Sequence, residues 1–263
     1  MAIDERLWIG SYDEDGFPPW PCPHCGRHSL SIRAGSLASA ETRDSREAHS
    51  HSEWEPEWVS EEFVCLVECH NNTCREVCSV AGSTTHSWEW SAEPTGERLA
   101  RSLRPRFVDP APAVFAIPKD TPEKTAKALE AAFSLFWSDP SAALNRVRTA
   151  IESLLDAAAI QRKVKTKNGK YRRLSLHERI ERFLPRDART KTMMLAVKWL
   201  ANIGSHEGEV KRSRLLEVFK LLEFILDVVV EKRPQQLDRM ARDIAKRKGK
   251  VAKRTKKLAE PPF

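Results

Sequence analysis

Ser141-Ala-Ala-Leu-Asn-Arg-Val-Arg-Thr-Ala-Ile-Glu-Ser-Leu-Leu-Asp-Ala-Ala-Ala-Ile160 is the stretch around which the chain is organised. Leu144, Val147, Ile151, Leu154 and Leu155 recur at helical spacing and form one apolar face. Arg148 and Glu152 stand four apart on that helix, so their side chains can touch. A second stretch, Lys198-Trp-Leu-Ala-Asn202-Ile-Gly-Ser-His206, closes another apolar helix with a polar cluster. If the two helices pack, Arg148 and Glu152 meet Asn202 and His206 across their interface.

Working outward, the surrounding segments complete a helical domain over residues 121–234. Thr121-Pro122-Glu123 has the form of a helix start, with a cap, a proline at the first helical position and an acid near the positive end of the dipole. Ser175-Leu-His-Glu178 is a capping box. Asp187 to Ile203 reads as a helix that stops at Gly204. Arg212 to Lys232 is apolar over most of its circumference, which predicts a central helix. Between these helices, residues 161–173 hold Arg162, Lys163, Lys165, Lys167, Lys170, Arg172 and Arg173 around Asn168-Gly169, a hairpin turn signal. Such a basic loop is either a phosphate site or simply solvated.

Residues 1–95 read as a different object. The first 100 residues contain 7 Arg, no Lys and 18 acids, a net charge of −11, and the rest of the chain therefore carries +18. All 6 cysteines lie between Cys22 and Cys78, and this clustering points to metal rather than disulfides. Cys22-Pro-His-Cys25-Gly26 is half of a tetrahedral zinc site. Glu62 to His70 reads as a strand with Phe63, Cys65, Val67 and Cys69 on one face, and Arg75 to Ala81 reads as its partner. Cys69 and Cys74 bracket the turn between them. The predicted ligands are Cys22, Cys25, Cys69 and Cys74, holding a structural Zn2+ with no open position. In that register Cys65 and Cys78 face each other as a buried thiol pair. The alternative puts Cys65 or Cys78 in place of an inner cysteine, and His24, His28 and His70 are near enough in sequence to substitute.

Residues 36–57 are polar and read as an exposed loop, with His49 and His51 solvated. Trp54, Trp58, Trp88 and Trp90 either line a groove or replace a thin aliphatic core, and the second reading is adopted. Residues 96–120, with Pro105, Pro110, Pro112 and Pro118, read as an irregular linker in which no helix can form. The expected fold class is α+β: a zinc-ribbon-like β module, a linker, an all-α bundle and a basic helical tail.

That tail spans residues 235–263. From Arg233 to Glu260 it carries 11 Lys or Arg against 3 acids, with Leu237, Ile244, Val251 and Leu258 at seven-residue spacing. Nucleic-acid phosphate is the expected partner. An anionic membrane would need a wider apolar face, and a solvated tail is the plain alternative. No apolar run is long enough to span a bilayer, and the N-terminus has no secretory pattern, so a cytoplasmic protein is expected.

The order of these features carries a resemblance: a zinc half-site, a cysteine-bearing hairpin, Phe107-Val-Asp-Pro110 with Ile117-Pro118, Arg148-x-x-Ile-Glu152, then Asn202-x-x-x-His206. It resembles the family catalogued as domain of unknown function 4145. That family is similar to the HEPN helical domains of prokaryotic defence and toxin systems, found beside restriction and anti-phage components. The resemblance implies a homodimer, a defence-complex partner, and in many members a metal-independent ribonuclease. It implies Glu152 as the supporting acid, His206 as the histidine and Asn202 as the polar member. Lys198 stands where the family usually has arginine, able to neutralise a phosphate only as a point charge. Ala201 stands where glycine is usual, and the span from Lys198 to His206 exceeds that of the catalytic HEPN motif. Two readings follow. In one, Arg148, Glu152, Asn202 and His206 are a buried hydrogen-bonded network locking two helices. In the other, His206, Glu152, Asn202, Lys198 and Arg148 are a catalytic set. The first is adopted, giving a non-catalytic module that binds RNA or DNA through the tail and the 161–173 loop. A ribonuclease toxin and a protein-interaction scaffold are the alternatives.

Overall fold

The computed structural model describes residues 3–13, 16–90, 96–183, 188–203 and 210–248. The fold is mixed α+β, an antiparallel sheet followed by a helical region. In chain order the sheet strands are β1 (Tyr12–Asp13), β2 (Leu30–Ile32), β3 (Ala38–Glu41), β4 (Glu61–Cys69), β5 (Val77–Trp90) and β6 (Glu97–Asp109), with a short helix α1 (Arg43–Ala48) between β3 and β4. The order across the sheet is β1-β6-β5-β4-β2. β3 shares the β4 edge with β2, taking the Glu61 to Val64 end while β2 takes the Val67 to Cys69 end. β4 shows the expected alternation and buries Phe63, Cys65, Val67 and Cys69.

The proline-punctuated stretch is not irregular. Glu97–Asp109 is a full strand along β5, and Pro105 fits because the ladder shifts register between Ala81 and Gly82. Ala81 pairs with Phe107 and Gly82 with Pro105, leaving Arg106 as the extra residue of a bulge. Gly82 is required there, since a Cβ would stand 2.1 Å from the Arg104 carbonyl oxygen. Residues 36–57 are also ordered into β3 and α1. Thr42 caps α1 and Ser45 donates to Glu41 at 2.7 Å, so the polar content serves local hydrogen bonding rather than an open loop.

The helical region comprises α2 (Glu123–Leu135), α3 (Pro140–Ala157), α4 (Leu176–Arg182), α5 (Ala188–Ile203), α6 (Arg212–Val229) and α7 (Arg233–Lys246). A small hairpin of β7 (Lys163–Lys165) and β8 (Tyr171–Arg173) joins α3 to α4. Gly169 has φ of 77°, as the Asn-Gly turn requires. Helix α3 turns Leu144, Val147, Ile151, Leu154 and Leu155 inward. Helix α6 is central and buries eight apolar side chains. The Ser175–Glu178 capping box forms with both of its bonds. Thr121 does not cap α2: Pro122 takes the capping position without a side-chain bond, and Thr121 donates its backbone N–H to the Pro118 carbonyl. Among the described residues, no helix is long and apolar enough to cross a membrane.

The acidic and basic parts of the chain are one packed body. Trp8 sits 5.9 Å from Phe136 and 6.1 Å from Trp137, and Trp20 sits 4.8 Å from Trp137. Phe136 in turn adjoins Phe219 of α6, and all of these belong to a single continuous core. The tryptophans that stand in for aliphatic core are therefore Trp8, Trp20 and Trp137. Trp58, Trp88 and Trp90 are exposed, contrary to the core role expected of them. They lie toward the far ends of β5 and its covering turn, past the last layer of buried residues.

Arg212 ties the two parts together. Its Nη2 donates to the Pro105 carbonyl at 2.7 Å and the Trp137 carbonyl at 2.8 Å. We predict that Trp137→Ala lowers stability by ~3–5 kcal/mol. Urea unfolding followed by tryptophan fluorescence and by circular dichroism should give one shared transition in wild type and in this variant. Separate transitions for sheet and helices would contradict a common core.

Candidate metal centre

Two tight turns build the centre. In the first, the Cys22 N–H donates to the Arg27 carbonyl and the Gly26 N–H to the Cys22 carbonyl, each at 2.8 Å. Gly26 closes the turn at φ of 71°. In the second, the Cys74 and Arg75 N–H groups both donate to the Asn71 carbonyl, at 2.8 and 3.1 Å. Arg75 takes a left-handed φ of 54° to complete it. The turns are brought together by β2, whose Leu30 pairs with Cys69 at the end of β4.

The result is the predicted tetrad. The sulfurs of Cys22, Cys25, Cys69 and Cys74 lie within 4.8 Å of one another and could hold a metal ion. Cys22 to Cys74 and Cys25 to Cys69 are each 3.7 Å. A tetrahedron with metal–thiolate bonds of about 2.3 Å has an edge of about 3.8 Å, so the cage already has the right size. Within the tetrad the thiols diverge: the backbone N–H of Arg27 lowers Cys25 to about 6, while burial pushes Cys22 up to about 12. Outside the tetrad, Ser29 Oγ lies 3.1 Å from Cys69 Sγ and His24 Nδ1 lies 3.6 Å from Cys74 Sγ. The other histidines are engaged elsewhere: His28 with the Pro19 carbonyl and His70 with Ser31.

Cys65 and Cys78 are buried and stand outside the tetrad. Burial pushes their thiols up, to about 11 and about 12. They are not directly opposite each other. Val67 pairs with Cys78 and Cys65 with Val80. The reason is the second turn: the Cys69 N–H donates to the Glu76 carbonyl, so Cys74 bulges toward the tetrad instead of facing Cys69 in the ladder.

The second constellation also assembles, in part. Arg148 Nε donates to Glu152 at 3.4 Å, and Arg148 Nη1 donates to Asn202 Oδ1 at 3.3 Å across the α3–α5 crossing. These are weak bonds by length. The cluster is not buried: the Arg148 side chain is 45% exposed and that of Glu152 33%. Both lie at the edge of the apolar stripe of α3, where solvent reaches. Lys198 turns onto its neighbour, with its ammonium 3.5 Å from the Trp199 ring centre. His206 lies outside the described residues. Trp199 is exposed beside this cluster, and sequence alone does not single it out, because an isolated tryptophan in a helical pattern reads as core.

Comparison with known families divides the chain. Residues 130–254 match a family described as a domain of unknown function (DUF4145). Residues 10–108 match a second, described as a domain of unknown function (DUF8608). The likeness to domain of unknown function 4145 seen in the sequence is thus found over residues 130–254, and the cysteine-bearing part lies within the second match. No curated protein and no solved structure matches the chain.

Substitution tests the assignment of ligands. Cys25→Ser should lower metal content, measured by mass spectrometry of the intact protein and by elemental analysis. Cys65→Ala should keep one metal per chain. A strong chelator should unfold the knuckle region, since a structural metal of this type supplies on the order of 10 kcal/mol.

Proposed function

We propose that this chain is a nucleic-acid-binding protein of a prokaryotic defence or restriction-type system. In this reading a zinc-held, ribbon-like pair of knuckles stiffens the β module, and a HEPN-like helical domain carries the contact surface without chemistry of its own. Four thiolates at tetrahedral spacing, leaving no open position, favour zinc in a structural role.

The observation that carries the binding reading is the β7–β8 hairpin. Lys163, Lys165, Lys167, Lys170 and Arg173 are exposed and have no carboxylate partner among the described residues. Arg162 and Arg172, by contrast, are held by Asp156 and Glu178. Lys163 stands directly opposite Arg173 in the ladder. Like charges placed so are destabilising, and a bound phosphate would relieve that repulsion. Helix α7 adds further cations and buries no residue. The resemblance of the helical region to HEPN domains supports the defence context and a homodimer.

A second reading rests on the meeting of Arg148, Glu152 and Asn202: a metal-independent ribonuclease with His206 as acid–base group and Lys198 on the phosphate. It expects RNA cleavage in the presence of a chelator that is lost in His206→Ala. Cleavage that persists in that variant would remove it.

The binding reading expects affinity that falls steeply with salt. The log–log slope should be about −0.9 per phosphate contacted on duplex and about −0.7 on single strands. Replacing Lys163 and Lys165 by Ala should flatten that slope by about 0.7–0.9 for each phosphate no longer neutralised. Affinity indifferent to salt would overturn it.

A further inference from the structure

Among the described residues of the helical region, the exposed aromatic side chains are Tyr171 and Trp199, at 72% and 57%. Both stand on cationic ground. Tyr171 lies directly opposite Lys165, two pairs along from Lys163 and Arg173, so an aromatic ring and three cations share one face of the hairpin. Val164 and Arg172 occupy the other face, where Arg172 is held by Glu178. Trp199 carries the Lys198 ammonium at 3.5 Å from its ring centre.

The two rings are carried by the elements on either side of α4 in the chain. β8 runs through Leu174 directly into α4, and His177 in the first turn of α4 lies 6.4 Å from the Trp199 ring. On α5, Lys198 and Trp199 precede Asn202 by four and three residues, so all three lie on neighbouring stripes of one face. Asn202 is the residue that receives Arg148. Each ring therefore has cations of its own, Tyr171 those of the hairpin and Trp199 the Lys198 ammonium, with the Arg148–Asn202 pair one turn along α5.

An exposed ring beside a cation offers a partner two contacts at once, a flat π face and a positive charge. A double helix hides the faces of its bases and offers phosphates and groove edges. An unpaired strand offers both phosphates for the lysines and base faces for the rings. We propose that the ligand is an unpaired nucleic-acid strand, with one base stacked on Trp199, a second on Tyr171, and the hairpin lysines and Lys198 on the intervening phosphates. This rests on the nucleic-acid reading and narrows it. Trp199 is then the residue that distinguishes single strand from duplex.

The test is fluorescence anisotropy at fixed low salt with a labelled, non-self-complementary strand of about 20 nucleotides, as RNA and as DNA, and with the corresponding duplexes. Trp199→Ala should weaken single-strand binding by about 5- to 100-fold and leave duplex binding unchanged. Trp199→Phe should restore most of that affinity, and Tyr171→Ala should act in the same direction as Trp199→Ala. Trp199 is exposed, so its replacement should leave the thermal melt unchanged, which circular dichroism checks. Single-strand affinity unaltered in Trp199→Ala, or equal weakening on both forms, overturns the proposal. Wild-type binding to duplex alone also overturns it while leaving the broader reading standing. Binding to neither form removes both.

Discussion

Everything in this molecule hangs on the burial of Trp137 between the sheet and the helices. Trp8 and Trp20 approach it from the N-terminal segment and Phe136 from its own helix end. Arg212 lies 5.4 Å from the centre of its ring. Three large rings packed together bury several hundred square ångströms, more than the short β1 or β2 could gain alone. The Arg212 guanidinium is desolvated, which lowers its pKa from the ordinary arginine value. It is stabilised by two main-chain carbonyls and by the faces of the aromatic rings. One carbonyl comes from the bulge of β6 and the other from the end of α2. A single cation therefore fixes the strand that precedes the helices against the helix pair that follows.

The four-cysteine cage answers a different problem. The first knuckle is closed on itself by the Pro21–His28 bridge and joined to the sheet by the short β2. A metal ion held by the four sulfurs would supply the cross-link that such thin secondary structure lacks. Their geometry also explains the hairpin register. A turn that presents Cys74 to a metal must leave the ladder early, and the strands then resume two positions out of the symmetrical pairing. Cys65 and Cys78 are left as ordinary buried side chains on the core face of the sheet.

The charge asymmetry of the chain takes on a clearer meaning once ion pairs are located. In the sheet, acids are matched with arginines, as in Glu61 with Arg101, Glu62 with Arg106 and Glu68 with Arg75. In the helical region, Asp156 is shared by Arg162 and Arg179, which hold its carboxyl down at about 2. One face of the β7–β8 hairpin escapes this matching. Arg172 is held by Glu178 on the other face, while Lys163, Lys165 and Arg173 have no carboxylate partner among the described residues, and the exposed Tyr171 stands among them. Surface charge that the fold does not neutralise is available to a polyanion.

The sequence by itself determined the elements whose signals are local. The α3 stripe, the central α6, the Ser175–Glu178 box, the Asn-Gly hairpin and the alternating face of β4 each depend on residues within a few positions of one another. The four clustered cysteines were legible for the same reason, because knuckle spacing is a local constraint. Tertiary structure alone decided three things. It placed a proline-bearing segment in the sheet, since a bulge opposite Gly82 removes the need for the missing donor. It chose which tryptophans are core, since Trp8, Trp20 and Trp137 are far apart in the chain and only packing makes them neighbours. It set the polar cluster at a solvent-facing helix crossing beside Trp199, because how far a side chain lies from the centre of an interface depends on the angle between helices, which no single helix encodes.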